Sequence, residues 1–186
     1  MKVALFYYDG FAEFEVVLLG LLLRKHEYIS VALEDREYIS EERQRFLVDQ
    51  VIKDVDVDSI DLLVIPGGDP KPLVENQELK SFVEKLVSRN KKVAGICGGA
   101  SLLAAYGILK GKKCTGNTSG LKPGDGEYQY YEGATISDEY VVVDGNIITG
   151  QGQAYVEFAV ELGRQMGLYK DQQEYDEDIK WCKNIR

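Results

Sequence analysis

A chain of 186 residues, 45% hydrophobic and 28% charged, is long enough to bury one core and fold as a single globular domain. Its net charge of −9 excludes nucleic acid and anionic membrane surfaces as main partners, since both reward clustered Lys and Arg, and leaves small molecules and other proteins. Three cysteines, Cys97, Cys114 and Cys182, with no CxxC pair and a single histidine, fit neither a disulfide framework nor a zinc site, so no metal or cofactor is expected.

The first residues lack the charged start, long apolar centre and cleavage site of a signal peptide, and the longest apolar run, residues 16–23, is too short to span a bilayer. The expectation is a cytoplasmic protein with reduced thiols. Residues 3–8 read as a strand, 12–25 as a helix and 29–33 as a second strand, which is βαβ spacing. The pattern recurs with a strand at 62–66, a helix over about 76–89, a strand at 93–96 and a helix after Cys97. The run Leu62-Leu63-Val64-Ile65 is continuously apolar, as suits a parallel strand covered on both faces. Asp144-Gly145 between residues 140–143 and 146–149 predicts a hairpin with a type I′ turn. Residues 154–166 predict a helix whose inner face carries Val156, Phe158, Ala159, Val160 and Leu162, and the charged tail 171–186 predicts a terminal helix docked by Trp181. The fold class is therefore α/β: a doubly wound, mostly parallel sheet with helices on both faces over residues 1–170, and a C-terminal helix over 171–186 packed on it.

Cys97 lies where the run Val93-Ala94-Gly95-Ile96 breaks into Gly98-Gly99 and resumes as Ala100-Ser101-Leu102-Leu103. A strand that ends on a reactive residue and turns straight into a helix is a nucleophile elbow, which exposes the side chain on a sharp bend. At a helix N-terminus the thiol is expected to be more acidic than a free cysteine at about 8.5. The plainer alternative is a small buried cysteine packed between strand and helix. In an open α/β sheet the ligand crevice lies at the carboxyl ends of the strands, which gathers residues 9–15, 67–71, 97–99, the region of Asn117 and residues 151–154.

These segments read Asp9-Gly10-Phe11-Ala12-Glu13-Phe14-Glu15, Leu63-Val64-Ile65-Pro66-Gly67-Gly68, Ala94-Gly95-Ile96-Cys97-Gly98-Gly99 and Val143-Asp144-Gly145-Asn146-Ile147-Ile148-Thr149-Gly150. In that order they resemble the ThiJ/PfpI family, over roughly residues 2–167. The family belongs to the flavodoxin-like class I glutamine amidotransferase-like superfamily, and includes PfpI-type intracellular proteases and the Parkinsonism-associated deglycase. The resemblance implies that Cys97 is the nucleophile, that Glu15 is the carboxylate touching it, that the Gly68 and Gly98 N–H groups bind an oxyanion, and that the protein is a homodimer with a small-molecule substrate. Without the family pattern, Glu15 reads equally as a solvated first-turn glutamate and Gly67-Gly68 as a plain tight turn. An ionised Glu15 opposes a neighbouring thiolate, so it helps only when protonated and donating a hydrogen bond.

Cysteine hydrolases pair the thiol with a histidine. His26 is eleven residues beyond Glu15 on the predicted helix, roughly 16 Å along its axis and toward the opposite sheet edge. It reads as a cation near a helix C-terminus. Family members with a catalytic histidine place it where this chain has Gly98 or near Asn117, and neither residue moves a proton. Asn117 is a possible third site member, orienting a water or donating to an oxyanion, or else a turn residue before Ser119 and Gly120. With no complete triad, the expected function is a cysteine-dependent hydrolase or protease-like enzyme acting on a small substrate. The alternative is a non-enzymatic redox sensor or stress-response protein working by oxidation of Cys97. Efficient peptide hydrolysis and glutaminase activity are not expected, whereas attack on a small aldehyde, thiol exchange and reversible sulfur oxidation need no imidazole.

The first helix is apolar on nearly every face from Phe14 to Leu23, so its surplus is expected to be buried against a second copy or under the C-terminal helix. Tyr128, Tyr130 and Tyr131 either wall a pocket or pack near the surface.

Overall fold

The computed structural model describes residues 1–117 and 121–185. Ser119, Gly120 and Arg186, which entered the expectations above, lie outside the described residues. The strands are β1 (Lys2–Phe6), β2 (Glu27–Ala32), β3 (Tyr38–Ile39), β4 (Arg45–Phe46), β5 (Gln50–Val51), β6 (Leu62–Ile65), β7 (Lys92–Ile96), β8 (Lys113–Cys114), β9 (Thr135–Ile136), β10 (Val141–Asp144) and β11 (Ile147–Gly150). The α-helices are α1 (Val17–Leu22), α2 (Gln77–Ser88), α3 (Gly98–Ala105), α4 (Tyr155–Gln165) and α5 (Gln172–Cys182). One sheet has the order β10-β11-β7-β6-β1-β2-β5, with every pairing parallel except that of β10 with β11.

The connection through α1 carries the chain from β1 to β2 in one direction across the sheet, and that through α2 carries it from β6 to β7 in the other. Right-handed crossovers place two such helices on opposite faces, which accounts for β1, β6 and β7 being almost wholly buried. The direction reverses between β1 and β6, so the loops leaving β1, β6 and β7 meet at a topological switch point. The helix predicted over 76–89 is present as α2, with Asn76 capping it by accepting from the Leu79 N–H at 2.9 Å. Among the described residues no helix is long and apolar enough to cross a membrane.

Three local expectations differ from the structure. The helix predicted over 12–25 is a 3₁₀ turn at Glu13–Glu15 followed by the short α1. The Glu42 carboxylate, from a distant loop, accepts from the Glu13 and Phe14 N–H groups at 3.0 and 3.1 Å, and Val16 leaves the helical basin at φ −126°. The bend turns Glu15 into the protein. The hairpin closes one residue later than predicted: Asp144 pairs with Ile147, so Gly145 and Asn146 form the loop, with φ 63° at Gly145. Glycine at the first central position suits type II′ rather than type I′. Trp181 does not dock the terminal helix, being 68% exposed. Tyr175, Ile179 and Cys182, which share one helical face, pack on the core instead, with the Arg164 guanidinium 4.3 Å above the Tyr175 ring.

Because α5 lies along α4, it leaves the surplus apolar face of α1 open. Phe14, Val17 and Leu21 are 49%, 58% and 45% exposed, while Leu19 and Leu22 face the core. The C-terminal helix therefore leaves Phe14 and Val17 uncovered, while Leu21 lines a groove shared with Glu177 and Trp181 of α5.

Candidate active site

β7 ends at Ile96, directly before Cys97, which adopts φ 53° and ψ −120° and occupies the N-cap position of α3. A non-glycine residue in that region carries strain of about 1–3 kcal/mol, held here by surrounding packing. The Cys97 N–H donates to Gly150 O at 2.9 Å, and Cys97 O accepts from the Ala100 N–H at 3.1 Å. The glycines of the motif are required by close approach. A Cβ on Gly99 would lie 2.2 Å from Ile65 O, and one on Gly95 would lie 2.8 Å from the Gly99 carbonyl. α3 thus presses against the sheet directly after the bend, and the Cys97 thiol emerges half-buried rather than enclosed.

Glu15 reaches the thiol from the 3₁₀ turn after β1. Glu15 is 2% exposed, and its carboxylate accepts from the Gly67 N–H at 2.7 Å and lies beside the Cys97 side chain, on which its charge acts. Two glycines make room for the pair. A Cβ on Gly67 would stand 2.3 Å from Glu15 Oε2 and 2.7 Å from Cys97 Cβ, and one on Gly152 would stand 2.6 Å from Glu15 Oε1 and 3.1 Å from Cys97 Sγ. Gly68, at φ 116°, and Gly98 are in contact: a Cβ on Gly98 would lie 2.3 Å from Gly68 O. Cys97, Glu15, Gly68 and Gly98 therefore converge.

Asn117 follows a segment tied to β11 by the Thr115 N–H, which donates to Thr149 Oγ1 at 2.9 Å. The backbone immediately before it lies against Ala100 of α3, where a Cβ on Gly116 would come within 3.1 Å of the Ala100 methyl. His26 directly precedes β2, whose N-terminal end is the opposite sheet edge from the carboxyl end of β7. It is remote from Cys97 by topology, although α1 is shorter than predicted.

The electrostatics correct one expectation. Burial is the largest influence on Glu15, raising its pKa to about 7 against the Gly67 and Cys97 hydrogen bonds, which act downward. Burial also pushes the Cys97 thiol up to about 12, reinforced by the Glu15 charge and hydrogen bond; the Gly98 N–H pulls the other way and is outweighed. The helix terminus does act in the expected direction, but the thiol beside an ionised Glu15 is less acidic than a free cysteine. Between pH 7 and 12 the pair thus holds one proton. When that proton sits on the carboxylate, the repulsive charge is gone and the acid donates to sulfur.

Three supports escaped the sequence reading. Tyr8, 6% exposed, donates its hydroxyl to Gly67 O at 2.6 Å and braces the loop that holds Glu15. Ser101, fully buried in α3, donates to the Glu127 carboxylate and is 3.1 Å from the Tyr131 hydroxyl. Of the clustered tyrosines, Tyr131 alone is buried, while Tyr128 is exposed and Tyr130 half-buried. Gln151, 5% exposed, donates to Thr115 Oγ1 and to the carbonyls of Asp138 and Glu139, which joins the β11 exit to the neighbouring loops. A polar residue between two glycines, as in Gly150-Gln151-Gly152, was the available signal for the last.

The sequence profile of the DJ-1/PfpI family matches residues 1–165. The chain belongs to the DJ-1/PfpI family. It is 31% identical over 154 residues to a deglycase of Thermococcus kodakarensis, covering 81% of this chain and 90% of that one. It is 30% identical over 154 residues to YraA of Bacillus subtilis, described as a candidate cysteine protease, covering 81% and 88%. Against the Arabidopsis thaliana DJ-1 homologues D and E the chain spans about a third of the relative's length. Among solved structures, a DJ-1 superfamily protein of Agrobacterium tumefaciens superposes over all of both chains with a TM-score of 0.85 and 28% identity. The mostly parallel, flavodoxin-like architecture read from the sequence is thus that of the DJ-1/PfpI fold.

Proposed function

We propose that the protein is a cysteine-dependent enzyme acting on a small electrophilic carbonyl compound, with Cys97 as nucleophile, Glu15 as proton donor and the Gly68 and Gly98 N–H groups as oxyanion donors. The observation that carries this reading is the buried Glu15 carboxylate packed beside Cys97 at a strained, half-buried elbow. Shifting the shared proton from sulfur to carboxylate gives a thiolate facing a carboxylic acid. Sulfur adds to the carbonyl carbon, the C–S bond forms as the C=O pair moves to oxygen, and Glu15 delivers its proton to that oxygen. Expelling a peptide amine calls for a second positioned acid, worth about 10²–10⁴ in rate, and the chain's one histidine is on the wrong sheet edge. The deglycase name of the Thermococcus relative and the candidate cysteine protease description of the Bacillus one both support a working cysteine. A cytoplasmic setting, in which thiols stay reduced, suits the chemistry.

The test is a panel of an α-oxoaldehyde, a thioester and a peptide. Turnover of the oxoaldehyde and none of the peptide is expected. Rapid peptide cleavage that depends on Cys97 overturns the substrate class. No turnover of any member, together with selective peroxide oxidation of Cys97, replaces the enzyme with the redox-sensor reading, which a half-buried rather than enclosed Cys97 also supports.

A homodimer through the Phe14, Val17 and Leu21 stripe is part of the same proposal, because three exposed apolar side chains on one face are a natural contact for a second copy. Sedimentation at micromolar concentration should give a dimer for the wild type and a monomer for Val17→Asp. A monomeric wild type, or a Val17→Asp variant that stays dimeric, contradicts this interface.

A further inference from the structure

The charged groups acting most strongly around Cys97 are all acidic. Glu15 and Glu127 act on Cys97, Glu41 and Glu42 on Glu15, and Glu15, Asp69 and Glu41 on Tyr8. Basic residues of the adjoining loops are engaged elsewhere, Arg36 with Asp9 and Glu34 and Arg45 with Glu37, while Arg43, Lys71 and Lys122 are exposed.

Glu127 differs from the other outer acids in how it is held: Glu42 is tied to the Glu13 and Phe14 N–H groups at an exposed position, and Glu127 to a buried side chain of α3. Glu41, Glu42 and Asp69 occupy exposed loop positions, whereas Glu127 is half-buried and its carboxylate accepts from Ser101 Oγ. Ser101 has no exposed surface and is in turn hydrogen-bonded with Tyr131, itself 3% exposed. Ser101 lies in the first turn of α3, where its N–H donates to Cys97 O at 3.4 Å, so its backbone sits one turn past the elbow. The mount therefore fixes a carboxylate on the first turn of the helix that starts at Cys97, and its charge acts on the thiol.

We propose that Glu127 sets the charge selectivity of the site, so that Cys97 reacts with cationic and neutral electrophiles in preference to anionic ones. The substrate class follows: a carbonyl carried on an amine or guanidine, or an uncharged one, rather than an oxo-acid. The inference rests on the reading of Cys97 as an accessible, reactive thiol and adds the charge of what it meets. A fixed charge at this range, partly screened by solvent, shifts the rate ratio between a cation and an anion by roughly tenfold.

The probes are two methanethiosulfonates of similar size, one bearing a trimethylammonium and one a sulfonate. Each transfers its thioalkyl group to the thiolate, forming a disulfide and releasing methanesulfinate. Using Cys182→Ser as background leaves Cys97 and the buried Cys114. The cation-to-anion rate ratio at Cys97, divided by that of a small free thiol, is expected to exceed about ten at low salt and to shrink in roughly 1 M salt. Glu127→Gln, whose amide oxygen still accepts from Ser101, should lower the ratio by roughly threefold or more on the same electrostatic argument. Glu84→Gln, exposed on α2, changes the net charge equally and should leave the ratio unmoved. A normalised ratio near one, or one insensitive to Glu127→Gln, overturns the charge selection while leaving the reactive thiol intact. Failure of both reagents to modify Cys97 removes the reactive thiol and this proposal with it.

Discussion

Cys97→Ser should lower turnover of the carbonyl substrate at least about 10³-fold while the protein melts within a degree or two of the wild type. The activity loss follows from the chemistry of sulfur. A serine hydroxyl beside a carboxylic acid has no accessible anionic form near neutral pH, and removing a covalent nucleophile takes away the step on which the others depend. The stability result follows from the elbow. Strain at φ 53° and ψ −120° belongs to the backbone and to having a Cβ, both of which serine keeps. Steady-state kinetics and a melting curve on the same preparation check both parts. A variant with a tenth of the wild-type rate contradicts the nucleophile assignment, and a large loss of stability shows that the activity loss reports unfolding instead.

Glu15→Gln should move stability and activity in opposite directions. The folded pKa of Glu15, about 7, lies above its ordinary 4.5 because burial disfavours the carboxylate. A raised pKa means that the folded state holds the proton more tightly than the unfolded state. The resulting stability is complete below pH 4.5 and is lost as pH rises through 7. Over that window the loss amounts to about 3 kcal/mol, and a neutral glutamine does not incur it. At pH 8 the variant should therefore be more stable than the wild type by up to about 3 kcal/mol, with the difference vanishing by about pH 4. The substituted amide cannot deliver a proton to the substrate oxygen, so turnover should fall by about 10²–10⁴. Denaturant melts at pH 4, 6 and 8 give the first result and kinetics the second. A variant less stable than the wild type at pH 8 contradicts the electrostatic account of Glu15.

Local patterns carried much of this into the sequence. The apolar run at Leu62–Ile65, the helix over about 76–89 and the glycines around Cys97 each depend on neighbours within a few residues, and each reads correctly. The convergence of Cys97, Glu15, Gly68 and Gly98 follows from strand order combined with the family pattern. What did not read depends on partners far along the chain. The 3₁₀ turn that aims Glu15 is capped by Glu42, 29 residues from the Glu13 N–H, and Glu127 is seated by a serine 26 residues away. The direction of the thiol pKa was missed for a related reason. A helix terminus favours thiolate by itself, and only the packed site reveals that burial and Glu15 outweigh it. Trp181 attracted the docking role by size, whereas the helical face that packs is set by the spacing of Tyr175, Ile179 and Cys182.

The central claim is that Cys97 and Glu15 share one proton and that moving it to the carboxylate creates the reactive thiolate. The most direct measurement is the rate of Cys97 alkylation by uncharged iodoacetamide from pH 5 to 11, in the wild type and in Glu15→Gln. The wild-type rate should rise through a midpoint near 7 and then level off, because the reactive form belongs to the one-proton state. Glu15→Gln should lose that step and show a single, later rise. A wild-type profile with no inflection near 7, climbing only at the pH of an ordinary free thiol or above, contradicts the shared-proton site.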